Sequence, residues 1–299
     1  MDVKLVEKKP KISIFQFSSL IVSFILGTSI LICPEIYQGG RSGWLVDLIG
    51  LIFSIITVTI IIYLHHPKYN KNLIEIAEEH GGNTLKLLLA VLYFIYTVHF
   101  GTLNIRIIGD FLTTTILSNM PVIICTFSLV LVAAYAIVMG IKTIGRVGQI
   151  LLPVILFIFF LFLFLAIPEY EFLNLLPLNL NLKDIFRGGF SIWTFSLGNL
   201  ILFSFLIPYV RIKSGKNKSR IFTFYILVAL LTSGAILFFR TLVLLMVLGS
   251  NLTPKFTYPV FSLVGLIEIG DFLERLEPAF LKMWIGASFI NILICFWVA

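Results

Sequence analysis

The sequence predicts an all-α integral membrane protein, and three observations lead to that prediction. Of the 299 residues, 59% are hydrophobic and 12% are charged, whereas an ordinary soluble domain carries about 25% charged residues. The mean hydropathy is +1.05. Apolar residues collect in runs of about 20, the length that a helix needs to cross a bilayer core. A soluble domain is therefore excluded, and the 29 Phe and 10 Tyr exclude a disordered chain.

Eight apolar runs are long enough to cross a bilayer, and each is bounded by charged residues or by Gly and Pro. The first run is too long for a signal peptide and seven more follow it, so we expect it to remain in the protein. The predicted spans are residues 12–33, 43–64, 87–105, 121–141, 147–167, 188–210, 221–248 and 281–299.

The basic residues predict the orientation of these spans. With the N-terminal segment 1–11 in the cytoplasm, fourteen of the 22 Lys and Arg residues fall in cytoplasmic segments and six in outer segments. Cytoplasmic loops of membrane proteins carry such an excess of positive charge. The net charge of +7 is therefore interpreted as a topology signal, and no nucleic-acid partner is predicted.

Several loop features carry predictions of their own. Residues 72–80 are predicted to form a short interfacial helix that Gly81 and Gly82 close. Residues 258–267 are apolar but too short to cross, which predicts a re-entrant or surface-lying segment. The chain stops inside an apolar run, so we expect it to be cut short. Three cysteines inside apolar runs are predicted to be free core residues: Cys33, Cys125 and Cys295.

Ionisable residues inside the spans differ in depth. Arg106 and Arg240 each lie 20 residues beyond a cytoplasmic basic residue, about 30 Å along a helix. Both are expected to reach the outer interface and snorkel, and Arg106 is expected to pair with Asp110 one turn on. His99 lies at hydrocarbon depth, where an ionisable group is functional by default. The alternative for His99 is a neutral ring bonded to a carbonyl of a neighbouring helix.

Two spans carry small and polar residues that indicate breaks. Gly27, Thr28 and Ser29 interrupt the first span, and residues 194–199 interrupt the sixth. These two spans run in opposite directions, as expected when five helices are repeated with inverted topology and the unwound helices form the substrate site. Close packing of helices on small residues is the alternative.

The inverted repeat predicts one transmembrane domain, 1–299, with a first repeat in 12–167 and an incomplete second repeat in 188–299. No carboxylate pair, metal-ligand cluster, or nucleophile with its base is expected at one depth. The protein is therefore predicted not to be an enzyme, and no cofactor or metal is predicted.

Two segments resemble one known family. Residues 12–17, Ile-Ser-Ile-Phe-Gln-Phe, followed by Gly-Thr-Ser-Ile-Leu at 27–31 and by Pro34, resemble the opening helix of the spore germinant receptor B subunits. These are endospore germination permeases of the amino acid, polyamine and organocation superfamily. Residues 270–277, Gly-Asp-Phe-Leu-Glu-Arg-Leu-Glu, are similar to the segment before that family's eighth helix. The resemblance covers about residues 12–299, and its second segment is the more specific.

The resemblance implies an inverted-repeat transporter fold, five plus five and LeuT-like. This sequence supplies eight of those ten transmembrane helices, so we expect either a truncated chain or a degenerate gene. It implies a nutrient-germinant sensing subunit in the spore inner membrane, with an amino acid-like germinant and with A-type and C-type receptor subunits as partners. Family members commonly show Phe-Pro-Phe-Gly-Glu where residues 195–199 read Phe-Ser-Leu-Gly-Asn. This chain has Asn199 where those members have a glutamate, and the absence of that carboxylate argues against ion-coupled transport. The alternatives are a secondary amino acid transporter and a structural subunit without a ligand.

The predicted ligand site combines the two breaks. Unpaired N–H groups of Thr28, Ser29 and Ile30 would hold a carboxylate at the positive end of a half-helix. Freed carbonyls of residues 195–197 would accept an ammonium group. The predicted ligand-binding residues are Gly27, Thr28, Ser29, Ile30, His99, Phe195, Ser196, Leu197, Gly198 and Asn199.

Overall fold

A computed structural model describes residues 11–66, 71–177, 180–211, 218–267 and 276–299 of this membrane protein. In these ranges six helical segments are long and apolar enough to cross a membrane, and two apolar helices are shorter. The all-helical membrane class is confirmed. The count of eight transmembrane helices and the inverted repeat stay predictions.

Residues 12–115 contain four helices and one short break. A two-residue strand, β1, precedes α1, and Ser13 caps α1 by accepting a hydrogen bond from the Gln16 N–H at 3.1 Å. The elements are β1 Ile12–Ser13, α1 Ile14–Ser29, α2 Pro34–Gly39, α3 Gly43–His65 and α4 Leu73–Thr115.

Residues 122–298 contain the remaining helices and a second irregular stretch. The elements are α5 Val122–Val138, α6 Ile141–Leu165, α7 Leu182–Ile192, a π-helical turn Trp193–Leu197, a 3₁₀ stretch Gly198–Phe205, β2 Val210–Arg211, α8 Lys218–Val247, α9 Gly249–Leu252, α10 Pro259–Val264 and α11 Glu277–Val298.

Helix α1 lies at the centre of the bundle. It packs against α6, α8 and α11, and every residue from Phe17 to Ser29 is buried. A helix that is apolar on all sides is expected to be enclosed by others, and α1 carries no charged residue. Helix α5 is equally apolar, but its buried residues are Cys125 and Ala133, so most of its surface faces outward.

The two strands bring the start of the first span to the end of the sixth. β1 pairs with β2 in parallel, with Ile12 opposite Val210 and Ser13 opposite Arg211. These four residues therefore lie at one end of the bundle. The break after α1 lies 16 helical residues away, or about 24 Å, toward the opposite end.

A helix begins at Leu73 and is interrupted at Gly82, as predicted for residues 72–82, and its interfacial location stays a prediction. Asn72 caps α4 and exchanges side-chain hydrogen bonds with Glu75. Gly82 interrupts the helix with a φ of 68°, a conformation that favours glycine because a Cβ would clash.

The segment at 258–267 forms a six-residue helix, α10, in which Val260 and Leu263 are buried. Most of the 270–277 segment lies outside the described residues. All three cysteines are free and buried, as predicted.

Candidate functional site at two helix breaks

The first break begins at Ile30, three residues beyond the start of its predicted position. Thr28 and Ser29 lie inside α1, and the Ile30 N–H donates to the Leu26 carbonyl at 2.9 Å. The prediction of unpaired N–H groups at Thr28 to Ile30 is therefore wrong. The helix is interrupted by residues 30–33 ahead of Pro34, because proline has no N–H to donate and disfavours helical backbone in the residue before it.

Gly27 serves close packing between α1 and α11. A Cβ on Gly27 would overlap the Ala287 carbonyl oxygen and would lie 2.6 Å from Asn291 Nδ2. The Ser288 hydroxyl donates to the Gly27 carbonyl at 2.8 Å. The two backbones therefore approach each other at a distance that only glycine permits.

Asn291 is the most unusual polar residue beside this contact. Its side chain is fully buried, and neither its amide nitrogen nor its carbonyl oxygen has a hydrogen-bond partner among the described residues. The Ser23 and Ser196 hydroxyls are buried without a partner in the same ranges. Buried polar groups are normally hydrogen-bonded, so such a carboxamide indicates a missing partner.

The second break follows α7 directly. The π-helical turn Trp193–Leu197 and the 3₁₀ stretch Gly198–Phe205 replace α-helix there. The Asn199 side chain donates to the Phe195 carbonyl at 2.9 Å, and the Tyr96 hydroxyl donates to Asn199 Oδ1. Asn199 thus takes one of the carbonyls that we expected to be free for a ligand.

Aromatic packing joins the central helices. The Phe24 ring of α1 lies 6.2 Å from Phe100 of α4 and 5.4 Å from Phe203 of the 3₁₀ stretch. The stretch that begins with Gly198 and Asn199 is therefore fixed against α1. The structure does not bring His99 into this region, because its side chain is exposed on α4.

The two arginines have different environments. Arg106 pairs with Asp110 at 2.7 Å on an exposed surface, as predicted. The prediction that Arg240 snorkels is wrong, since its side chain is 1% exposed. Arg240 forms an ion pair with Glu35 of α2, and its Nη1 donates to the carbonyls of Ser29 and Ile32. The break supplies these carbonyls, so both terminal nitrogens of the guanidinium have partners inside the bundle.

A second carboxyl group joins this cluster. Asp47 of α3 lies 2.6 Å from the Thr241 hydroxyl, and Glu35 lies 3.1 Å from the same oxygen. The expectation of no carboxylate pair at one depth is therefore also wrong. Sequence reasoning did not consider Glu35, which lies between the first two predicted spans. The available signal was Arg240 in the seventh span together with Asp47 in the second, because opposite charges inside apolar segments can neutralise one another.

Comparison with known proteins identifies the family. A family model described as spore germination protein matches residues 11–299. Spore germination protein KB of Bacillus subtilis (strain 168) is 26% identical over 293 residues, which is 95% of this chain and 76% of that protein. Spore germination protein B2 of the same organism is 26% identical over 295 residues, 93% of this chain and 75% of that protein. The resemblance inferred from the sequence is confirmed: the chain belongs to the spore germination protein family, with a germination receptor or permease-like role.

Proposed function

We propose that the protein is the nutrient-germinant sensing subunit of a spore germination receptor. It would bind a small amino acid-like molecule between the breaks of the first and sixth spans. The observation that carries this proposal is the Asn291 carboxamide, which is buried beside Gly27 and has no hydrogen-bond partner among the described residues. Leaving a buried polar group without a hydrogen bond costs about 1–3 kcal/mol. A ligand that supplies both a donor and an acceptor recovers that cost.

An amino acid has the chemistry that such a site requires. Its ammonium group donates to the Asn291 carbonyl oxygen, and its carboxylate accepts from the amide nitrogen. The Ser196 hydroxyl of the second break is also buried without a partner in the described part of the chain, and we assign it to the same site. Of the other predicted residues, we retain Gly27 and residues 195–199 as the walls of the site and Thr28 to Ile30 as its upper edge. We leave His99 out because it is exposed.

A secondary amino acid transporter remains the alternative function. In transporters with broken helices, carbonyls freed at the break coordinate the coupling cation. Here the guanidinium of Arg240 takes the Ser29 and Ile32 carbonyls. A covalently attached cation cannot be carried across the membrane, which favours sensing over ion-coupled transport.

The receptor context extends the proposal to partners and location. The relatives carry names of spore germination proteins, which supports assembly with A-type and C-type receptor subunits in the spore inner membrane. The positive-charge bias supports a cytoplasmic N-terminus.

Cysteine labelling tests the orientation. Single cysteines replace Lys142 and Asn251, both exposed, in a background that lacks the three native cysteines. We expect an impermeant thiol reagent applied outside intact cells to label position 251 and to leave position 142 unlabelled until the membrane is opened. Labelling at position 142 alone would contradict the predicted orientation and indicate the opposite one.

Asn291→Leu tests the ligand site. Because the amide has no partner among the described residues, removing it should leave the unfolding midpoint in detergent unchanged or higher. The germinant concentration for half-maximal spore germination should rise about tenfold, the change that 1.4 kcal/mol produces. His99→Leu is the matched control, since it removes a polar side chain from an exposed position, and it should change neither quantity.

The outcomes separate the candidate functions. A transporter predicts normal germination of Asn291→Leu spores and reduced uptake of labelled amino acid by growing cells. A structural subunit predicts that neither germination nor uptake changes. A germination response equal to that of the wild type, at equal protein abundance, would contradict the sensing proposal.

A further inference from the structure

Two carboxyl groups share one hydroxyl at the end of the bundle remote from β1. Thr241 Oγ1 lies 2.6 Å from Asp47 Oδ2 and 3.1 Å from Glu35 Oε1. Exposure is 0% for Thr241 and Glu35 and 4% for Asp47. Water therefore does not separate these oxygens, and their contacts have to be explained by the hydrogens available within the cluster.

The hydroxyl cannot serve both carboxylates. It carries one hydrogen, and the Leu237 carbonyl competes for that hydrogen at 3.1 Å. Arg240 Nη2 donates to the hydroxyl oxygen at 3.1 Å, which supplies no hydrogen for Asp47. If Asp47 carries a proton, it donates to Thr241 and Thr241 donates to Glu35. Each short contact between oxygens then contains a hydrogen.

Charge balance leads to the same protonation state. Arg240 stays charged in proteins and pairs with Glu35. Its Nη1 donates hydrogen bonds to two backbone carbonyls, and its Nε has no partner in the described part of the chain. No donor of Arg240 is directed at Asp47. An ionised Asp47 would leave one uncompensated negative charge in a buried cluster, which is strongly unfavourable.

No other charge on the neighbouring elements compensates Asp47 in the described ranges. The charges that act on it are Glu35 of α2 and Arg240 of α8, and Cys33 and Tyr37 are uncharged titratable groups near Glu35. The charged residues of α7, which also packs on α3, are exposed, and Arg41 is engaged with the Leu176 carbonyl. The α7 residues are Lys183, Asp184 and Arg187.

We propose that Asp47 is a proton-binding site that controls the break in the first span through Thr241, Glu35 and Arg240. With the proton bound, Arg240 is free to hold the Ser29 and Ile32 carbonyls. When the proton leaves, a second carboxylate competes for the same guanidinium, and the hold on the break weakens. This inference goes beyond ligand sensing, because it concerns a different ligand at a different set of side chains.

The test compares two neutral replacements. Asp47→Asn imitates the protonated acid, so its unfolding midpoint in detergent should stay at the wild-type value. Glu35→Gln removes the charge that Arg240 requires, so its midpoint should fall clearly. Asp110→Asn, at the exposed pair with Arg106, is the matched control and should change little. In wild-type protein we expect an infrared band of a protonated carboxyl group that Asp47→Asn removes.

Three results would overturn the proposal. The first is a fall in midpoint for Asp47→Asn as large as that for Glu35→Gln, since it would mean that Asp47 is ionised. The second is the absence of a protonated-carboxyl band in the wild type, a measurement that needs no variant. The third is a wild-type midpoint that rises when sodium or potassium replaces choline at constant ionic strength, because a metal ion would then occupy the site. If Asp47→Asn does not fold, the infrared measurement on the wild type still decides, because it needs no variant.

Discussion

Replacing Arg240 with methionine is expected to lower the free energy of unfolding by about 3–5 kcal/mol, the cost of breaking a buried ion pair from one side. The substitution leaves the Glu35 carboxylate buried without its cation. It also removes the donor that holds the Ser29 and Ile32 carbonyls at the first break. Equilibrium unfolding in detergent micelles measures the change.

Arg106→Met provides the control for Arg240→Met. Arg106 also pairs with one acid, but the pair is exposed, and exposed pairs contribute about 0–1 kcal/mol. Glu35→Gln combined with Arg240→Met should recover part of the loss, because the double variant leaves no unpaired charge between these two positions. Equal, small effects of Arg106→Met and Arg240→Met would contradict the buried cluster.

Gly27→Ala is expected to destabilise the protein by about 1–3 kcal/mol, the usual cost of overpacking a core. The added methyl group would overlap the Ala287 carbonyl, and a backbone group cannot rotate away as a side chain can. The helix propensity of alanine, better by about 1 kcal/mol, offsets only part of this cost. The unfolding midpoint should fall together with germinant sensitivity.

Gly286→Ala is the matched control for Gly27→Ala. It lies on the opposing helix α11, and its Cβ would meet the end of the Leu151 side chain at 3.0 Å, which can shift by a few tenths of an ångström. We expect a stability near that of the wild type. If Gly27→Ala retains wild-type stability, Gly27 does not set the distance between the two helices, whatever happens to germinant sensitivity.

Features that depend on neighbouring residues could be predicted from the sequence. Asn72 and Glu75 form the cap of α4, Gly82 interrupts that helix, and Arg106 reaches Asp110 one turn away. In each case the partners lie within four residues, so helix geometry alone brings them together. The apolar helices follow from composition in the same way.

The buried cluster could not be predicted by the same reasoning. Glu35 and Arg240 are 205 residues apart, and Thr241 is 194 residues from Asp47. The sequence argument estimated the depth of Arg240 along its own helix and placed it near the outer interface. That argument treats each helix alone, so it leaves out the hydrogen-bond partners on neighbouring helices. The break in the first span provides carbonyls and an acid at the same level, and these replace water.

The position of the first break illustrates a second limit. Gly27 has the lowest helix propensity in its segment, yet it lies inside α1. A glycine is required there because α11 leaves no room for a side chain. Pro34, farther along, marks the start of the next helix. The sequence therefore predicted that a break exists in the first span but not where it lies.

Direct binding to the purified protein tests the central claim most directly. A panel of radiolabelled amino acids is added to wild-type protein, to Asn291→Leu and to His99→Leu, each in detergent micelles. We predict saturable binding of at least one member of the panel to the wild type and to His99→Leu, and affinity about tenfold weaker for Asn291→Leu. No saturable binding to the wild type, or equal affinity in all three proteins, would contradict a ligand site between the two breaks.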